Sequence, residues 1–198
     1  MRRPVSSLGL AMSVLILTSA NAPAAVNGSV IGTVTAKGLS SKADIVVSLH
    51  APGLSVKPSS APIELNQTGK VFAPHVLPAV VGTRVRFLNN DPFEHNVFSP
   101  EGRYDLGSWP QGQSKDQTFS KVGVYTQLCR IHPEMEAFIV ILDTPYFAKT
   151  DQQGAFQVHD VPPGQYMLDV WSEKLKATHQ PITVESGKPT TVQLMLSK

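Results

Sequence analysis

Gly123-Val124-Tyr125-Thr126-Gln127-Leu128-Cys129-Arg130-Ile131-His132-Pro133-Glu134-Met135 runs from an alternating hexamer into a loop that carries a thiol, an imidazole and a thioether. Alternation of period two reads as a strand, 124–128. Upstream, Asn89-Asn90-Asp91-Pro92-Phe93-Glu94-His95-Asn96-Val97 sets a second imidazole at a Pro-punctuated turn that follows the apolar run 84–88. Two imidazoles, one thiolate and a weak thioether are the donor set of a blue-copper electron-transfer centre. His95, Cys129, His132 and Met135 are therefore the candidate ligands of one copper ion, Cu(II) or Cu(I).

Outward from that loop, apolar residues fall in short alternating runs. Gly, Pro, Asn or Asp interrupts them about every eight to twelve residues, the rhythm of β-sandwiches. The predicted strands are 29–35, 44–50, 63–66, 76–81, 83–88, 95–99, 117–119, 124–128, 137–142, 146–149, 155–158, 165–171, 181–184 and 191–196. No stretch has the period of a long amphipathic helix. The predicted fold is all-β, with Pro52-Gly53, Pro58-Ser59-Ser60 and Thr144-Pro145 at the joints between two units.

The first residues read as an export signal: Met1-Arg2-Arg3, an apolar stretch over 8–17, and Ala22-Pro23-Ala24 as a cleavage site. Cleavage after Ala24 or Ala25 avoids leaving Pro23 first, so 1–25 is the expected signal peptide and the location is periplasmic or otherwise exported. No later segment resembles a membrane span. The formal charge of +2 vanishes with Arg2 and Arg3, because 17 Lys and Arg become 15 against 15 Asp and Glu. Without a clustered basic stripe, nucleic acid is not an expected partner. The chain has a single cysteine, which cannot close an internal disulfide. Its histidine and methionine neighbours favour a role as metal ligand.

On Phe72-Ala73-Pro74, Gly82-Thr83-Arg84-Val85-Arg86-Phe87, 89–97 and 123–135, the stretch 63–143 resembles the cupredoxin family. The likeness is to the amicyanin and pseudoazurin type and to plastocyanin-like methylamine-utilisation proteins. That resemblance implies a Greek-key sandwich over 58–143, with Asn96 behind the ligands tying one ligand loop to the other. It also implies that the edge of His132 is the electron port and that a transient redox protein is the partner. Plastocyanin-like relatives carry an aromatic where this chain has Gln127. A buried amide there needs a hydrogen-bond partner, unless the strand register slips and exposes it. Alternation sets Tyr125, Gln127 and Cys129 on one face, and Val124, Thr126 and Leu128 on the other.

Ser29-Val30-Ile31-Gly32-Thr33-Val34-Thr35 and 43–49 resemble the opening strands of a carboxypeptidase-regulatory-like, transthyretin-like sandwich. Thr150-Asp151-Gln152-Gln153-Gly154-Ala155-Phe156, Val161-Pro162-Pro163-Gly164-Gln165-Tyr166 and Ile182-Thr183-Val184 resemble its continuation. The expected organisation is thus a discontinuous, smaller Ig/transthyretin-like sandwich, 26–57 plus 144–198, with the copper unit 58–143 inserted after its second strand.

His75 is expected to stay outside the ligand set, which four donors already complete. His50, His159 and His179 are expected to be solvated, and Tyr166 and Trp171 to pack the second sandwich. Multicopper oxidases flank the cysteine with histidines, whereas Leu128 and Arg130 flank it here, and no hydrolase or nucleotide motif appears. The expectation is an electron carrier rather than an enzyme. A copper carrier or sensor, or an envelope interaction module with a structural copper site, shares the same ligands.

Overall fold

The computed structural model describes residues 25–36, 38 and 41–197; the expected signal peptide lies outside them except for Ala25. Sixteen strands and no helix make up the described residues. Nothing among them is a helix long and apolar enough to cross a membrane.

Nine consecutive strands form the first sandwich. They are β3 (Ile63–Thr68), β4 (Val71–Ala73), β5 (Val76–Val80), β6 (Arg84–Asn89), β7 (His95–Ser99), β8 (Tyr104–Trp109), β9 (Ser114–Thr118), β10 (Gly123–Leu128) and β11 (Glu136–Leu142). One sheet has the order β5-β11-β10-β7-β8 and the other β4-β3-β6-β9. Between them, Leu65, Val85 and Phe87 from the second sheet meet Ala79, Val97, Ala137, Ile139 and Ile141 from the first, all buried. Each of the Val, Leu, Ile and Phe side chains contributes about 1.5–3 kcal/mol through removal from water. Cys129 and Met135 belong to the same core.

The remaining strands come from the two ends of the chain: β1 (Gly28–Ala36), β2 (Val46–His50), β12 (Phe147–Lys149), β13 (Ala155–Val161), β14 (Gly164–Trp171), β15 (Thr178–Val184) and β16 (Pro189–Leu196). They pair as β13-β1-β16 and β12-β2-β14-β15. β1 lies antiparallel to β13 and parallel to β16, in register from Ser29↔Pro189 to Ala36↔Leu196. Val30, Val34, Leu49, Phe156, Leu168, Tyr166 and Leu194 fill the space between these sheets. The turn into β13 depends on Gly154, at φ +87°, where a Cβ would stand 2.2 Å from the Val34 carbonyl oxygen. Asp151 closes that turn by accepting the Gln153 and Ala155 N–H groups through Oδ1.

The two sandwiches share a seam. Val46 from β2 packs with Val76, Val140 and Leu142 from β5 and β11, and Phe138 and Trp171 lie against that cluster. Trp171 therefore faces the seam, not the second core as expected; its ring stands 5.5 Å from that of Phe138. The Lys149 ammonium crosses the seam to the Val76 carbonyl at 2.9 Å.

Most strands fall within two residues of where alternation places them, with five exceptions. β4 and β8 are additional to the predicted set, β9 and β15 begin at Ser114 and Thr178 rather than 117 and 181, and β13 runs to Val161 rather than 158. β9 is an edge strand with a burial pattern of exposed residues broken once, so it lacks an apolar face to betray it.

Candidate metal centre

The centre lies where two loops meet at one end of the first sandwich. β10 ends at Leu128 and delivers Cys129, 3% exposed, into the core end. The loop then turns, with the Met135 N–H donating to the His132 carbonyl at 3.0 Å, before β11 begins at Glu136. His95 is the first residue of β7 and has no solvent exposure. One ligand atom each from His95, Cys129 and His132 lies within 4.8 Å of the others. His132 Nδ1 is 3.1 Å from His95 Nδ1 and 3.9 Å from Cys129 Sγ.

Such spacing suits a shared ion. Metal–nitrogen bonds of about 2.0–2.1 Å at tetrahedral angles would hold two nitrogens about 3.3–3.4 Å apart. Soft sulfur beside two imidazoles favours copper among the first-row metals. Met135 is wholly buried in the core that also contains Cys129. His132 is half-buried, beneath the Phe93 ring at 5.4 Å, and Phe93 also meets His95 at 5.2 Å.

Hydrogen bonds lock the loops around these groups. Asn89, also without exposure, donates through Nδ2 to the Phe93 and Trp109 carbonyls and accepts the Asp91 N–H at 3.0 Å. That fixes the chain preceding His95. Asp91 in turn accepts His95 Nε2–H at 2.7 Å. Burial pushes the Asp91 carboxyl up, but the Lys70 N–H, His95 and the Gly69 N–H outweigh it and hold it below the usual carboxylate range.

Asn96 spans the two loops: its Oδ1 accepts the Arg130 N–H at 3.3 Å, and its Nδ2 donates to Asp105 at 2.7 Å. Asp105 reaches the same loop again through Arg130 Nε at 2.8 Å. Arg130, Gly107 N–H and Asn96 together draw the Asp105 carboxyl down to about 2. Asn89, Asp91, Phe93 and Asp105 were not read from the sequence as parts of the site. Only the density of Asn and Asp around Pro92 pointed to a turn there.

Gln127 is buried, and the register does not slip. Its Oε1 accepts the Tyr104 hydroxyl, and its Nε2 donates to the Tyr125 carbonyl at 2.9 Å. His75 lies away from the cluster, bonded to the Glu136 carbonyl and to Glu173 across the seam. His159 and His179 are exposed. His50 is not merely solvated, since Asp143 lies 2.8 Å from its Nδ1 and Ser48 2.9 Å from its Nε2.

A family model described as the carboxypeptidase regulatory-like domain matches residues 133–197. It begins inside the loop between β10 and β11 and runs through β16; β1 and β2 lie outside it. Among solved structures, the chain is similar to a purple cupredoxin from Nitrosopumilus maritimus at 23% identity, over 40% of this chain and 99% of that one, with a TM-score of 0.37. A reduced amicyanin variant matches at 19% identity over 48% and 98%, TM-score 0.40. A copper-containing nitrite reductase from Thermus scotoductus SA-01 matches at 24% identity over 55% and 28%, TM-score 0.40. No curated protein matches the chain.

Proposed function

We propose that the chain is an exported one-electron carrier and not an enzyme, with His95, Cys129, His132 and, weakly, Met135 as the residues that would hold one copper ion. The observation that supports this most is the meeting of two imidazole nitrogens and one thiol sulfur within 4.8 Å at the end of a rigid sandwich. When bound, copper would supply the one-electron couple between Cu(II) and Cu(I). The protein's part is orientation. Asn89, Asn96, Asp91 and Asp105 hold both loops, so ligand positions change little with charge, which keeps reorganisation small.

Half-buried His132 is the exit for the electron, ringed by Phe93 at 38% and Ile131 at 47% exposure. That rim suits a small, transient contact with a redox protein, of the class that buries under about 1,200 Å². In this reading 58–143 is the copper unit, inserted into a discontinuous sandwich built from 26–57 and 144–198. The second sandwich stiffens the β5–β11 edge through the seam.

Voltammetry of the copper-loaded protein with a Cu(I) chelator present is the test. Repeated one-electron cycling with copper retained supports the carrier of electrons. Loss of Cu(I) to the chelator within the first cycles overturns it in favour of metal delivery.

A further inference from the structure

Asp91 is a nearly buried carboxylate, 5% exposed, whose acceptors meet three N–H groups. Oδ1 takes the Gly69 N–H at 2.6 Å; Oδ2 takes the Lys70 N–H at 2.9 Å and His95 Nε2 at 2.7 Å. A carboxylate only accepts, so the imidazole proton resides on Nε2 and the Nδ1 lone pair is left facing His132 and Cys129. A neutral carbonyl in that place would fix the same tautomer. The carboxylate adds negative charge, which feeds electron density into the ring and strengthens its bond to the more highly charged ion.

We propose that Asp91 is a positioning residue that sets the tautomer of His95 and biases the site toward Cu(II) over Cu(I). The second half rests on the copper reading above; the first holds for the metal-free chain. Gly69 and Lys70 form the turn between β3 and β4, both at positive φ, so Asp91 also pins that turn against the His95 loop. Pinning alone would be a purely structural role. The test must separate the two.

The experiment compares wild type with Asp91→Asn and Asp91→Ala. The asparagine offers one oxygen for three donors and carries no charge. Histidine-ring ¹⁵N–¹H correlation spectra of the metal-free proteins at mildly alkaline pH report the His95 tautomer. Wild type is expected wholly in the Nε2–H form, and both variants as a mixture. Copper competition titrations are expected to show a 10- to 100-fold loss of Cu(II) affinity in D91N. Cu(I) affinity is expected to change less, and each tenfold of preference lost raises the potential by about 59 mV.

A wild-type His95 protonated on Nδ1 overturns the proposal. So does a D91N protein that unfolds more easily but keeps the wild-type tautomer and the wild-type ratio of Cu(II) to Cu(I) affinity. If wild type binds copper without a thiolate charge-transfer band, the copper reading falls while the tautomer spectra still decide the role of Asp91. D91N is near in size to the native residue, so the test survives a failure of D91A to fold.

Discussion

Gln127 has no exposure and sits two residues before Cys129 on the same strand face, and its amide is paired with the Tyr104 hydroxyl and the Tyr125 carbonyl. Burial raises the Tyr104 phenol, which keeps it a neutral donor across the working pH range. Replacing Gln127 by Leu strands that hydroxyl, and an unpaired buried donor costs about 1–3 kcal/mol. Tyr104 is only partly buried, so water recovers part of the loss and the cost belongs at the lower end. Tyr104→Phe strands Gln127 Oε1, which has no solvent to turn to, and belongs at the upper end of the same range. The double variant removes donor and acceptor together. It is expected to cost little more than the dearer single change, giving a coupling of about 1 kcal/mol, inside the span for residues in direct contact. Urea unfolding of the four metal-free proteins at constant m measures the cycle. Additivity within about 0.3–0.5 kcal/mol would mean instead that the two side chains do not support each other, since residues that do not interact behave so.

Met135→Leu nearly preserves volume, so it is expected to cost under about 1.5 kcal/mol and to keep copper while raising the reduction potential, as voltammetry checks; loss of all copper colour would contradict an axial role. Asp105 is held near 2 by Arg130. A folded value below the unfolded one means its contribution is present above about pH 3.9 and fades as the pH falls through about 2. The stability gap between wild type and D105N, about 0–1 kcal/mol for so exposed a pair, is therefore expected to close over that window in acid titrations followed by urea unfolding. Leu142→Ala in the seam is expected to cost about 2–5 kcal/mol, and a cost under about 1 kcal/mol by denaturant melts would remove the seam from the energetics. Cleavage engineered within 52–60 and within 143–145 is expected to leave 26–51 bound to 144–198 on gel filtration, because β1 and β2 are paired there with β12, β13, β14 and β16.

The candidate loop was legible because Cys129, His132 and Met135 are close in sequence, and a chemical pattern at fixed spacing survives without coordinates. His95 was legible only as a partner that the fold had to deliver, and β7 does deliver it. Alternation revealed strands with one wet and one dry face, such as β13 and β16. It failed for β4, three residues long, and for β9, which buries almost nothing and so carries no period. Gln127 could be flagged as a buried amide, but its acceptor role toward Tyr104 needed β8, a strand the pattern did not show. Asp91 was invisible as a functional group because its bond to His95 closes across Pro92 inside a turn, and turns carry no periodic signal. Trp171 was assigned to the wrong core for a related reason. A buried aromatic in a strand says that a face is covered, not which sheet covers it.

In the proposed function, Cys129 sulfur and the His95 and His132 nitrogens hold one copper ion. Visible absorption during Cu(II) titration of the metal-free protein, with Cys129→Ser in parallel, tests it most directly. An intense thiolate-to-copper band is expected, saturating at one equivalent and absent from C129S. Copper binding without that band, or a spectrum unchanged by C129S, would contradict it.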